Sequence, residues 1–243
     1  MKIKTTLLPL FTAAFSVFGI VARFWLNTAG TDGEGLIKNG HPSVTVSVII
    51  FAALVGTLAL CAVFMKKPQK RFPASVPGAA GCFIGAVGLA ITLFIDLKAS
   101  GNQTTTGITN LLPTLSFLAG LGTVAAFAAM GSKRLQGKPV NIWFYVVAVV
   151  YFVIHLLQQY QQWSQMPQLT DYLFPVLGSV FLMLAFYHRA YKDLDQPDRW
   201  QYMFFSQIAL FCCIMSIFGT NWVFYASMSA WLLLDSLPGK ETT

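Results

Sequence analysis

Eight apolar stretches, each long enough to cross a bilayer as a helix, follow one another along this chain of 243 residues. They fall at roughly 7–28, 43–65, 76–97, 109–130, 141–161, 172–188, 201–218 and 221–237. Crossing a hydrocarbon core of about 30 Å takes about 20 apolar residues in a helix. In lipid every backbone polar group must be bonded internally, which restricts spanning structures to helices and closed barrels. Segments this long and this continuously apolar are helices. The expected fold is all-α: a polytopic transmembrane helix bundle of about eight helices, forming a single transmembrane domain over 1–243.

Composition agrees. Hydrophobic residues make up 56% of the chain and charged residues 10%, against about 25% charged in a soluble domain whose surface must be wetted. The net charge of +7 would suit an acidic partner. The basic residues sit in short linkers beside apolar segments, however, which points to orientation in the lipid bilayer and to anionic headgroups rather than to nucleic acid. The cysteines, Cys61, Cys82, Cys212 and Cys213, lie inside apolar segments without metal-ligand or CxxC spacing, so they read as small buried apolar residues.

Two segment boundaries need argument. From Met203 to Leu234 the chain is almost unbroken apolar sequence, and one straight helix of that length would reach about 48 Å. Gly219-Thr220-Asn221-Trp222 interrupts it with turn-forming and interfacial residues, so it divides into two helices, the eighth being short. The first segment starts basic, with Lys2 and Lys4, like a signal peptide. Its run continues to Leu26, and Ile20 stands where a peptidase acting after Ala22 would want a small residue. It reads as an uncleaved first helix.

With the N-terminus inside, only Arg23, Lys38 and Lys98 of the 16 Lys and Arg fall outside. That asymmetry fixes orientation in short loops and puts both termini in the cytoplasm, across the cell membrane. Trp25, Trp163 and Trp222 then fall near the outer boundary and Trp143, Trp200 and Trp231 near the inner one, as two aromatic belts.

A faint repeat runs through the second, fourth and sixth segments. Each starts near a proline (Pro42, Pro113, Pro175), carries a Gly followed by a hydroxyl residue (Gly56-Thr57, Gly122-Thr123, Gly178-Ser179), and ends at Lys66, Lys133 or Arg189. Tandem helical hairpins would produce this pattern; so would the small alphabet of packed membrane helices. Gly78, Gly81, Gly85 and Gly88 share one face of the third segment, and Gly120 and Gly122 follow in the fourth. Small residues on one face allow close helix approach, with a ligand-facing surface as the competing reading.

Polar residues at membrane depth are costly and default to a functional reading. Arg23 lies in the outer third of the first helix, where it either snorkels to headgroups or contacts an anion or carboxylate at an outer vestibule. Asp96 and Asp171 lie at the same outer level and are candidate partners, Asp171 also as a helix N-cap. His155 precedes a glutamine-rich boundary, Gln158-Gln159-Tyr160-Gln161-Gln162, and reads as a ligand contact or an interhelical hydrogen bond. Arg23, His155, Asn110 and Gln158 cluster at one depth on different helices. With Asp96 and Asp171 they form the candidate ligand-binding set. Asp235, near the inner end of the eighth segment, reads as interfacial. The mixed-charge stretch Tyr187 to Trp200 reads as a solvated inner loop that could dock a cytoplasmic partner.

The chain carries none of the common catalytic or cofactor patterns: no GxGxxG after a strand, P-loop, HExxH, GxSxG or acidic metal cluster. His155 and His188 differ in depth by about 20 Å, which argues against bis-histidine haem. No metal, cofactor or catalytic residue is assigned. Three functions remain: binding or moving a small solute, alone or as a subunit of a multi-component transporter; a membrane sensor or scaffold subunit that binds a partner protein; and an intramembrane enzyme acting on lipid. The third is weakest, because the helices hold almost no carboxylates to build a nucleophile–base or metal site.

Overall fold

A computed structural model describes residues 7–31, 41–64, 75–101, 111–163, 172–194, 199–219 and 221–237. Among them the regular structure is eight helices: α1 (Leu7–Ala29), α2 (Pro42–Phe64), α3 (Val76–Gly101), α4 (Leu111–Leu135), α5 (Ile142–Trp163), α6 (Leu173–Asp193), α7 (Arg199–Ser216) and α8 (Trp222–Ser236). Each lies where an apolar stretch was expected. The chain is a multi-pass helical membrane protein. Six helices, α1 to α6, are long and apolar enough to cross a membrane. The break between α7 and α8 falls at Ile217–Gly219 and Asn221. With 18 and 15 residues these two are the shortest helices, about 27 Å and 22 Å long. The end bearing Lys133, Arg134 and Lys138 is termed the inner end.

The helices pack as a ring with an attached hairpin. In sequence order α3 to α8 each pack on the next, and α8 returns to α3 to close a ring of six. The α1–α2 hairpin lies outside it, seated on α7. Two cores follow. The larger fills the ring and includes Leu89, Phe127, Tyr151, Phe152, Phe186, Phe224 and Trp231. The smaller joins the hairpin to α6 and α7 through Leu54, Leu58, Phe174, Phe211 and Met215. Lipid-facing positions stay apolar, as a hydrocarbon solvent requires: Phe18, Val21 and Phe24 on α1 and Val87 and Phe94 on α3 are exposed.

Ring closure depends on the glycine face of α3. A Cβ at Gly88 would meet Ser227 Cβ at 2.1 Å, and one at Gly81 would meet the Trp231 carbonyl at 3.1 Å. The missing side chains let α3 and α8 approach almost backbone to backbone, the device by which membrane helices associate when no hydrophobic effect separates them from lipid. The face serves packing. An open apolar groove of about 500 Å³ lies beside it, lined by Phe83, Ile84, Val87, Gly88, Trp222 and Ser227, outside the ring.

The repeated Gly-hydroxyl pairs do not share one environment. A Cβ at Gly178 would touch Cys212 on α7 at 3.5 Å and one at Gly122 would touch Val147 on α5 at 3.3 Å, whereas Gly56 on α2 has open space around it. The fourth and sixth segments therefore use the pair to seat the next helix; the second does not.

Two expectations fail. Trp231 belongs to no interfacial belt: it is fully buried, stacked on Phe186 with ring centroids 4.5 Å apart. Trp25, Trp143 and Trp222 are exposed as expected. The stretch from Tyr187 to Asp193 is not a loop either, while 195–198 lie outside the described residues. Helix α6 continues to Asp193, with Arg189 and Lys192 buried. Hydropathy ends at the first charge, but a helix continues where its charges find partners.

Candidate functional site

Helices α4, α6 and α8 all end at the inner face of the ring, so three helix C-termini, each carrying about half a negative charge, converge there. Arg134 lies in the last turn of α4, Arg189 and Lys192 in the last turns of α6. Cations at these positions are favoured by the backbone itself. Asp235 lies in the last turn of α8, where the same dipole disfavours it. It is held there by side chains.

Arg134 donates to Asp235 Oδ1 in an ion pair whose side chains are 5% and 1% exposed. Arg189 Nη2 lies 3.4 Å from the same oxygen. The Tyr202 hydroxyl donates to Asp235 Oδ2. From Arg134 the network runs through Nη2 to the Tyr145 hydroxyl at 3.3 Å, which donates to Asp193 Oδ2. Arg189 Nε stands 3.9 Å from Asp193 Oδ1. Arg134 Nη1 also reaches Cys82 Sγ at 3.3 Å. The Arg189 guanidinium and the Lys192 ammonium lie 5.3 Å and 4.7 Å from the Tyr202 ring centroid, within cation–π range. Cys82, Arg134, Tyr145, Arg189, Tyr202 and Asp235 come from α3, α4, α5, α6, α7 and α8 in turn. One network thus ties every helix of the ring.

Asp235, read as interfacial, is buried inside the ring at its inner end, and Arg134 and Arg189 are members of an internal network with it rather than headgroup-facing cations.

A second polar layer lies toward the outer end. Gln159 Nε2 donates to His155 Nε2 at 2.9 Å. The Tyr225 hydroxyl lies 3.2 Å from both Gln159 Oε1 and the Pro175 carbonyl. Tyr151 stacks on His155 at 5.5 Å and Phe224 sits 4.7 Å from it. His155 Nδ1 and the Tyr151 hydroxyl are buried and have no hydrogen-bond partner among the described residues. On α8 this layer, at Tyr225, stands ten positions before Asp235, about 15 Å away. Between the layers Phe127, Phe152, Phe186 and Trp231 pack ring against ring, at 4.5–5.6 Å.

Of the ligand-binding set, His155 and Gln158 share α5, His155 buried and Gln158 half-buried. The hydrogen-bonding partner of His155 is Gln159, one position beyond the glutamine singled out. Arg23 is 8% exposed on α1, flanked by exposed Phe24 and Trp25, so it is packed against the protein rather than extended along lipid. Asp96 is half-buried on α3. Arg23 belongs to the α1–α2–α7 group and Asp96 to a helix between α4 and α8; among the described residues no ion pair joins them. Asn110 and Asp171 lie outside the described residues.

No protein-family model matches the chain, and no curated protein or solved structure is significantly similar to it. Among the described residues no group of His, Cys, Asp and Glu is placed to hold a metal ion.

Proposed function

We propose that this protein binds or moves a small polar solute through its six-helix ring, in the cell membrane with both termini cytoplasmic, alone or as the membrane subunit of a larger transporter. The Arg134–Asp235–Arg189 network carries this reading. Ionisable groups buried at membrane depth are costly and concentrate on substrate and ion pathways. Helix pinning alone does not call for them, because a buried ion pair can commonly be replaced by apolar packing without loss of stability. The separation of the layers adds support. A charged inner station and a His155–Gln159–Tyr225 outer station, divided by aromatic rings, suit a closed state in which no continuous water path crosses the membrane.

The test starts with a thermal-stability screen of the detergent-solubilised protein against amino acids, sugars, nucleosides and small organic acids. Any stabilising solute then goes into a counterflow assay in proteoliposomes. The expected result is stabilisation by one class and saturable counterflow that Arg189→Gln abolishes at normal expression. No stabilisation by any class, with counterflow no faster than in empty liposomes, overturns the reading.

A further inference from the structure

We infer that Arg134, Arg189 and Tyr202 form a receptor for a small oxyanion, a carboxylate first, and that Asp235 is the chain's own occupant of it, displaced when ligand binds. This rests on the solute-binding reading above and names the solute's class.

The donors are arranged as a free carboxylate would need them. Two guanidiniums, from α4 and α6, converge on one oxygen of Asp235, and a phenol from α7 serves the other. Charge-assisted bonds of this kind are the strong ones, and arginine is the side chain that recognises carboxylates by shape as well as charge. The three donors come from three helices, and the carboxylate they surround comes from a fourth.

Asp235 is also the member least favoured by its own backbone. It stands at the negative pole of α8, whereas Arg134 and Arg189 stand at the negative poles of α4 and α6 and are stabilised there. An incoming carboxylate brings the same oxygens to the arginines without a covalent tie to the negative pole of α8, while the poles of α4 and α6 still face it. Gly78 presents no side chain to the site and lets the backbone of α3 close on the carboxylate: a Cβ there would meet Asp235 Oδ1 at 3.2 Å and Ser75 Oγ at 3.0 Å. Arg134 Nε, buried and without a hydrogen-bond partner among the described residues, is a further N–H close by. Binding then exchanges one carboxylate for another at constant receptor charge. That exchange frees the end of α8 from α4, α6 and α7 together, so ligand entry loosens the inner closure of the ring.

The proposed ligand is a free organic acid; the phosphate of an inner-leaflet lipid is the competing occupant, and the experiment separates the two. Wild type and Asp235→Asn are purified in lipid-free detergent and titrated with acetate, succinate and inorganic phosphate, with phosphatidylglycerol micelles as a separate arm. Asp235→Asn keeps the side-chain size and removes the competing charge. It is expected to bind acetate or succinate about ten-fold more tightly than wild type or better, because apparent affinity scales with the fraction of receptor left open. In proteoliposomes wild type is expected to exchange radiolabelled succinate or acetate, while Asp235→Asn holds it and exchange falls by a comparable factor. Arg134→Gln is expected to lose both binding and exchange. Should Asp235→Asn fail to fold, wild-type counterflow decides: it must be saturable and competed by unlabelled carboxylate but not by glucose or choline. Equal carboxylate binding by wild type and variant, no carboxylate-specific counterflow by wild type, or an effect of phosphatidylglycerol alone each overturns the inference. Movement of a neutral or cationic solute would overturn it too, while leaving the solute-binding reading standing.

Discussion

Arg134 and Asp235, 101 positions apart in the chain, form an ion pair sealed from solvent at the inner end of the ring. Arg134 ends the second helix of the ring and Asp235 the last, and α3 lies between those two helices. The pair therefore fastens the ring close to the point where its two ends meet.

Removing one partner leaves an uncompensated buried charge. Asp235→Leu is expected to destabilise the protein by about 3–5 kcal/mol. The double variant Arg134→Met/Asp235→Leu is expected to recover most of that loss, since replacement of a buried pair by apolar groups is often near neutral. Unfolding of the four proteins of this cycle in mixed micelles measures the coupling; a double variant as unstable as the sum of the singles would remove the pair from the stability argument.

The α3–α8 contact predicts a contrast between glycines. Gly88→Ala drives a Cβ into Ser227 and is expected to cost about 1–3 kcal/mol as overpacking. Gly56→Ala enters open space and is expected to leave stability unchanged or slightly raised, because alanine is the better helix former by about 1 kcal/mol. Thermal denaturation in detergent distinguishes them. Equal effects would mean that α3 and α8 are not in close contact in the membrane.

Tyr225 links α8 to α5 and α6 through one hydroxyl. Tyr225→Phe removes only that oxygen and is expected to cost about 1 kcal/mol, the range for interhelical hydrogen bonds in membranes. The aromatic packing, and hence the near-ultraviolet circular dichroism, should stay as in wild type. A loss of several kcal/mol would show that the outer layer behaves as one cooperative unit rather than as separate bonds.

Orientation can be read by labelling. Lys138→Cys lies in the exposed connection before α5, and Asn27→Cys at the exposed far end of α1. In a Cys61→Ser background, with Cys82, Cys212 and Cys213 buried, an impermeant maleimide added to intact cells should label Asn27→Cys and spare Lys138→Cys. The reverse pattern would invert the topology that the distribution of lysine and arginine implies.

The helices were legible because lipid makes one simple demand, an unbroken apolar run, which α1 to α6 meet in full and α7 and α8 approach with shorter runs. The closure of α8 onto α3 was half legible: the glycine face of α3 announced a close neighbour but not which one. The charged network was hidden by a rule that serves well elsewhere. Arg134 and Arg189 follow apolar runs at inner ends, as headgroup-facing cations do, and nothing local separates a cation that meets lipid from one that meets Asp235. The signal was Asp235 itself, an acid following Trp231-Leu232-Leu233-Leu234 with no adjacent base. It had to be paired from afar or sit at the surface. Partner choice depends on ring order, which short-range sequence does not contain. The outer layer was legible at His155, but that Gln159 rather than Gln158 bonds it was not, because the two differ only in which face of α5 they occupy.

The hairpin outside the ring has a consequence for how the molecule is made. Helices α1 and α2 leave the ribosome first, yet their seat, α7, is completed only at Ser216. From Phe64 to Ser216 translation adds about 150 residues, on the order of ten seconds or more at about 5–20 residues per second. For that interval the pair must reside in the bilayer without its final neighbour. The sequence of α2 suits such a wait: in its apolar stretch only 17% of residues are buried even in the finished molecule, so early arrival strands little that lipid cannot solvate.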